Sequence, residues 1–360
     1  MGRRRVDAAS ADRGGSSTLR VMRAWQLHDT TGPENYSLDE VPVPQPGPGE
    51  VRIALEVVAI NHLDLWVSRG LPAPPTLPFI TGADGTGTID AVGEGVTRVS
   101  VGDEVIVDPS LSCGRCRSCL AGDIVYCPEY GILGEHHPGT LAEFIVVPER
   151  NAVRRPAGLD PEVAGSFGLA TGTAYRMLRR ARLTAGDVLL VVGVGGGVSS
   201  AAMALGRAMG ARVFVTSRSD DKIAWAVEHG AEAGFDSSDE FAKALKAASG
   251  SSADVVVDNV GPATWGQTMR AAGPGGRIVV CGSTSGPKVE ITMPVLFFKQ
   301  LEIIGSTMFT HGEFAEVVDL VGSGAVRPPI DRTYDFAQLP EALARMDAGD
   351  QLGKLAFRVR

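Results

Sequence analysis

Five consecutive apolar residues, Val188 to Val192, stand between Asp187 and Gly193. A run this short and uninterrupted predicts a strand covered on both faces, as in a parallel sheet. Gly193, Gly195, Gly196 and Gly197 follow, making a turn nearly free of side chains. Beyond it Ala202, Leu205 and Met209 recur at helical spacing, Gly210 predicts the helix stop, and residues 212–216 read as the next strand. Strand, glycine turn, helix and strand form a unit that offers free backbone N–H groups and the positive end of a helix dipole to a pyrophosphate. The predicted ligand is a dinucleotide.

Helix and strand go on alternating downstream, with strands expected at 254–258, 276–282 and 301–306 and a helix at 241–248. Upstream the pattern differs. Strands at 23–27 and 51–60, separated by a proline-rich run, and crowded glycines before about residue 147 predict an antiparallel, barrel-like domain. Helices at 313–321 and 339–349 precede a closing strand at 353–359, which needs sheet partners and is expected to fold back onto the first domain. Residues 289–293 could form an edge strand pairing across a two-fold axis.

At 360 residues the chain exceeds one ordinary core, so two domains are expected. A formal charge of −8 argues against nucleic acid or an anionic membrane as main partner. No apolar run reaches the ~18 residues that suggest a membrane helix. Residues 1–21 are polar, carry Arg3, Arg4 and Arg5 without an apolar core behind them, and read as a disordered extension rather than a secretory signal. The expected location is the cytoplasm.

The end of the second nucleotide strand bears on which dinucleotide is bound. NAD sites usually place a carboxylate there for the ribose hydroxyls. Here Ser217, Arg218 and Lys222 offer a hydroxyl and two cations instead, which suits the 2′-phosphate of NADP(H).

Cys113, Cys116, Cys119 and Cys127 follow a C-x2-C-x2-C-x7-C pattern. Thiolates repeated at this spacing suit one closed, tetrahedral, structural zinc per chain. Disulfides fit poorly at such spacings, and an iron–sulfur cluster suits a strand-rich domain less. Cys281 reads as core packing.

The cysteine lobe, the nucleotide turn, the TGADGTGTIDAVGEGV and GDEVIV segments and the terminal GKLAFRV together resemble the medium-chain dehydrogenase/reductase superfamily, from about Met22 to Arg360. The resemblance implies an α/β chain with a GroES-like, β-barrel-type catalytic domain (residues 22–168 and 309–360, zinc lobe at about 110–130). A Rossmann domain with a doubly wound parallel sheet would occupy residues 169–308. A homodimer, with a tetramer as alternative, is implied as well.

Against that family's zinc-dependent members, the catalytic ligand positions read Asn61, Gly82-Ala83-Asp84 and Ser166. One hard carboxylate does not hold a catalytic zinc, which needs three protein ligands. Without a Lewis acid, hydride delivery is easiest to a conjugated acceptor, whose charge spreads onto an enolate that hydrogen bonds can hold. Zinc-free quinone and enoyl reductases share Asn and Asp at positions 61 and 64, whereas Trp66 stands where some carry a Tyr. The resemblance therefore implies catalytic-site roles for Asn61, His62, Asp64 and Trp66, with His136 or His137 as further proton-donor candidates. Thr171, Val198, Asn259, Val260, Gly282 and Ser283 would join the glycine turn at the cofactor. The leading expectation is an NADPH-dependent reductase of an enone, enoyl or quinone substrate. The alternatives are a zinc alcohol dehydrogenase with substitute ligands, and a cofactor-binding protein or non-redox biosynthetic enzyme on the same fold.

Overall fold

The computed structural model describes residues 20–360. Most of the expected N-terminal extension lies outside these residues, and Val21 already belongs to the first strand, Val21–Leu27.

Two sheets organise the chain. The first has six parallel strands in the order Ala233–Asp236, Arg212–Ser217, Val188–Val192, Ala253–Asp258, Ala272–Val280, Glu302–Gly305. The order reverses beside the Val188–Val192 strand, where ligands gather at the carboxyl ends of doubly wound sheets. All five residues of that strand are buried, because helices cover both faces. The helix Gly197–Ala208 follows it and ends where Gly210 takes φ +82°.

The second sheet is barrel-like. Its spine is the long strand Glu50–Ile60, flanked antiparallel by Asp84–Val92, Phe144–Pro148 and Lys354–Arg358. The closing strand thus returns to the first domain, with Ala356 opposite Ala59. Its core gathers Leu55, Ile53, Leu65, Val105, Leu355 and Phe357.

One expected strand fails. Residues 287–292 lie in no strand, and Met293 opens the short helix Met293–Phe298 with Pro294 in its first turn. The sheet edge is instead Glu302–Gly305. Among the described residues, no helix is long and apolar enough to cross a membrane.

Candidate active site

A cleft of about 1380 Å³ runs between the carboxyl ends of the parallel strands and the barrel-like sheet. On the barrel side, Asn61 ends the Glu50–Ile60 strand and precedes the helix His62–Ser68. The carboxylate of Asp64, in the first turn of that helix, accepts the Asn61 N–H at 2.7 Å and the Gly82 N–H at 2.7 Å. Gly82 has φ +95°, and a Cβ there would strike Thr140 and Leu141, so only glycine serves. Asp64 is fully buried and outside the cleft wall, a positioning residue that ties the helix start to the glycine turn.

Burial pushes the Asp64 carboxyl up to about 6, against the hydrogen bonds from Asn61 and Gly82. A folded-state value above the ordinary 3.8 means that this group's stabilisation is full below about 3.8 and lost as pH rises through about 6. Wild-type stability is expected to fall relative to Asp64→Asn by about 2–3 kcal/mol between pH 4 and pH 7. Urea midpoints of both proteins at the two pH values check this.

The centre of the barrel-side wall is an ion pair. Lys354, at the head of the closing strand, is buried, and its Nζ donates to Asp84 Oδ2 at 2.8 Å, to the Ile60 carbonyl at 2.9 Å and to Asn61 Oδ1. Asn61 Nδ2 donates to Asp84 Oδ2 at 3.0 Å, and the Leu169 N–H donates to Asp84 Oδ1 at 2.6 Å. Both Asn61 side-chain atoms and all three ammonium protons are thereby engaged. Asn61 is at the cleft as expected, but its amide is committed to holding this pair. An ammonium packed against the sole carboxylate, beside Ala83 and a Ser166 hydroxyl turned to the Val163 carbonyl, is a donor set that does not fit a catalytic metal.

His62 and Trp66 line the same wall, their rings 6.3 Å apart. Burial, together with nearby Lys354, pulls the His62 imidazole below its ordinary range and disfavours its charged form. Across the cleft a Cβ at Gly282 would lie 3.7 Å from the Trp66 ring. Cys281 packs against the hydrophobic core, as expected, and also lines the cleft, where burial pushes its thiol up to about 12. Its Sγ donates to Asn259 Oδ1 at 3.1 Å, while Asn259 Nδ2 is buried without a partner among the described residues.

On the nucleotide side, Gly193 and Gly195 take φ +78° and +126°. No side chain caps the helix Gly197–Ala208, so its first N–H groups are free for an anion. A Cβ on Gly195 would meet the Lys222 stem at 2.7 Å. Lys222 Nζ donates to the Gly349 carbonyl at 2.6 Å, and the Gly353 N–H donates to the Gly195 carbonyl at 2.9 Å, so the C-terminal loop closes over the turn. Ser217, Arg218, Val198 and Val260 line this part of the cleft. Arg218 is exposed and joins no ion pair among the described residues. The uncapped N–H groups, the orphaned Asn259 Nδ2 and the free Arg218 together fit a dinucleotide.

Some expected residues stand elsewhere. Thr171 is buried in the helix Gly168–Arg180, whose Leu169, Ala170 and Thr173 face the cleft instead. Ser283 turns to the Gly286 carbonyl of its own loop. His136 is half exposed and accepts the Ile132 N–H through Nδ1, and His137 packs beneath Gly131 outside the cleft. The cleft residue of that loop is Glu135, which the two neighbouring histidines obscure in the sequence. Lys354 was legible only as a lone cation heading an apolar run.

Outside the cleft lining, the ligand atoms of Cys113, Cys116, Cys119 and Cys127 lie within 4.8 Å of one another. Sulfur separations of 3.5 Å and 3.9 Å match the ~3.8 Å edge of a tetrahedron with ~2.3 Å Zn–S bonds. The Arg115 and Cys116 N–H groups pull the Cys113 thiol down to about 6, which favours a thiolate ligand.

Two family models match the chain, one described as an alcohol dehydrogenase GroES-like domain over residues 47–157 and one as a zinc-binding dehydrogenase over residues 197–323. An alcohol dehydrogenase of Schizosaccharomyces pombe is 31% identical over 336 residues, spanning 92% of this chain and 96% of its own. The chain belongs to the medium-chain dehydrogenase/reductase superfamily. Its GroES-like sheet and Rossmann sheet are the α/β architecture expected of that superfamily. Within it, an acryloyl-coenzyme A reductase of Sulfurisphaera tokodaii is 29% identical over 90% of this chain and 97% of its own. A solved structure named NAD-dependent alcohol dehydrogenase superposes with a TM-score of 0.91 at 38% identity, covering 94% of this chain and all of its own.

Proposed function

We propose that this superfamily member uses NADPH to reduce a C=C bond conjugated to a carbonyl, or a quinone, without a catalytic metal. The observation that carries the reading is the Lys354–Asp84–Asn61 network, an organic cation fixed where zinc-dependent relatives would bind metal. When bound, the reduced nicotinamide supplies the hydride. This chain's own residues do the rest. The glycine turn and helix N-terminus would hold the pyrophosphate, Arg218 and Ser217 the 2′-phosphate, and Asn259 Nδ2 would offer the cofactor a hydrogen bond. Lys354 holds a positive potential beside the site, which favours the enolate that forms on substrate as hydride arrives. Trp66 and Leu63 line the cleft and exclude water. The reductase named among the relatives supports this chemistry.

The test is NADPH oxidation against enones, enoyl thioesters, quinones and aldehydes. Turnover with conjugated acceptors and none with simple aldehydes is expected. Turnover with aldehydes or alcohols alone would favour the second reading, alcohol–carbonyl interconversion, which the names of the 31% and 38% identical relatives support.

We assign one structural zinc to the four cysteines. Metal analysis is expected to give one zinc per chain in the wild type and none in Cys116→Ser, with catalysis lost only as far as the lobe loosens. A zinc-depleted wild type that retained its full thermal stability would contradict a structural role.

We also read the protein as cytoplasmic and homodimeric. The open strand Glu302–Gly305 and the neighbouring exposed Met293, Phe297 and Phe298 support a second copy as the covering partner.

A further inference from the structure

We propose that Glu135 is the proton donor of the reduction, a role that rests on the conjugated-acceptor reading above. The residue lies on a tight turn between the strands Gly131–Ile132 and Phe144–Pro148. Its side chain is only 15% exposed, and it lines the cleft with Ile132, Leu169, Thr173 and Met308.

The turn is held from several sides. The Ile132 carbonyl accepts the N–H groups of Glu135 and His136, the Gly134 N–H donates to the His137 carbonyl at 2.7 Å, and His136 Nδ1 accepts the Ile132 N–H at 3.2 Å. Gly134 packs so closely on Gly82 that a Cβ would lie 2.6 Å from its backbone. Asp64 anchors the same Gly82, so the Glu135 turn and the Lys354 network share one rigid support.

Despite this rigidity, no hydrogen bond reaches the Glu135 carboxyl among the described residues. A half-buried carboxyl without a donor is costly unless it is protonated or meets a ligand. Burial raises its pKa, partly offset by His136, whose Nε2 lies 3.7 Å away. Tyr130, from the preceding turn, is the other ionisable group that feels its charge.

The other ionisable groups on the hydride side of the cleft are committed or unsuited. Lys354 has spent its three protons on protein acceptors, and the Cys281 thiol donates to Asn259 and is held far above neutrality. Burial and nearby Lys354 lower the His62 pKa and disfavour its charged, proton-donating form, and an indole at position 66 has no acidic proton to give. Among the described residues on this side of the cleft, Glu135 is the acid whose carboxyl no protein donor engages and whose protonated form burial favours.

The step balances. The β-carbon of the substrate receives the hydride, the C=C π pair moves to the α-carbon as an enolate, and the α-carbon takes the proton from the Glu135 carboxyl. Solvent reloads the resulting carboxylate directly, since the Glu135 side chain keeps 15% exposure at the cleft. One NADPH and one proton are consumed per saturated product.

The test runs the wild type, Glu135→Gln and Glu135→Asp with NADPH and a 2-substituted enone in D2O, following rate against pH and deuterium at the α-carbon. Expected for Glu135→Gln are a kcat at least ~100-fold lower, unchanged NADPH affinity, loss of the high-pH fall in kcat, and loss of facial selectivity at the α-carbon but not of hydride selectivity at the β-carbon. Glu135→Asp should restore part of the rate and the selectivity. A Glu135→Gln enzyme with kcat within about twofold of wild type and the same α-face deuteration would overturn the assignment. A wild type that reduces no conjugated acceptor would overturn the underlying reading too, and needs no variant to be seen.

Discussion

Lys354→Met is expected to lower stability by about 3–5 kcal/mol and turnover by about 10²–10³-fold. The stability loss follows from burial. Asp84 is 1% exposed and Lys354 4%, so removing the ammonium strands a carboxylate where water cannot reach it. The turnover loss has a separate cause, since the fixed positive charge beside the forming enolate disappears. The double variant Lys354→Met/Asp84→Asn separates the two. It removes both charges yet keeps an amide oxygen for the Leu169 N–H, so urea unfolding should show most of the stability recovered. Its single-turnover hydride transfer should remain slow. If the double variant regained full rate, the ion pair would be scaffolding alone.

Arg218→Ala is expected to lower kcat/KM for NADPH by about 10–100-fold and to leave NADH within about threefold. That range is the worth of one or two charge-assisted hydrogen bonds to a phosphate, about 1.5–3 kcal/mol. Lys222 does not compensate, because its Nζ is held by the Gly349 carbonyl over the glycine turn. Ser217→Asp, added to Arg218→Ala, should then raise NADH use by supplying a carboxylate for the ribose hydroxyls. Equal losses with both cofactors would show that Arg218 supports the loop rather than reading the 2′-phosphate.

Local patterning carried most of the fold. Val188–Val192, the glycine turn and the helix to Ala208 are adjacent in the chain, so periodicity and turn chemistry suffice to predict them. The return of the closing strand followed from its need for partners, and its register against Ala59 did not, because nonlocal pairing leaves no local trace. Residues 289–293 misled for the opposite reason. Their alternation is that of a strand, but Pro294 opens a helix there and the sheet edge lies further on.

The site was half legible. Asn61, His62, Trp66, Arg218 and Asn259 reach the cleft as expected from their motifs. Lys354 meets Asp84 across 270 residues of sequence, so neither announces the other. In the 135–137 turn the two histidines drew attention as the generic proton-transfer residues, yet it is the acid between Gly134 and His136 that lines the cleft, and neither imidazole does.

The most direct test of metal-free hydride chemistry is an anomalous difference map at the zinc absorption edge from NADPH-bound crystals. One peak per chain, amid the sulfurs of Cys113, Cys116, Cys119 and Cys127, is the predicted result. A second peak beside Asp84, with the Lys354 ammonium displaced from it, would contradict the account and return the enzyme to carbonyl chemistry.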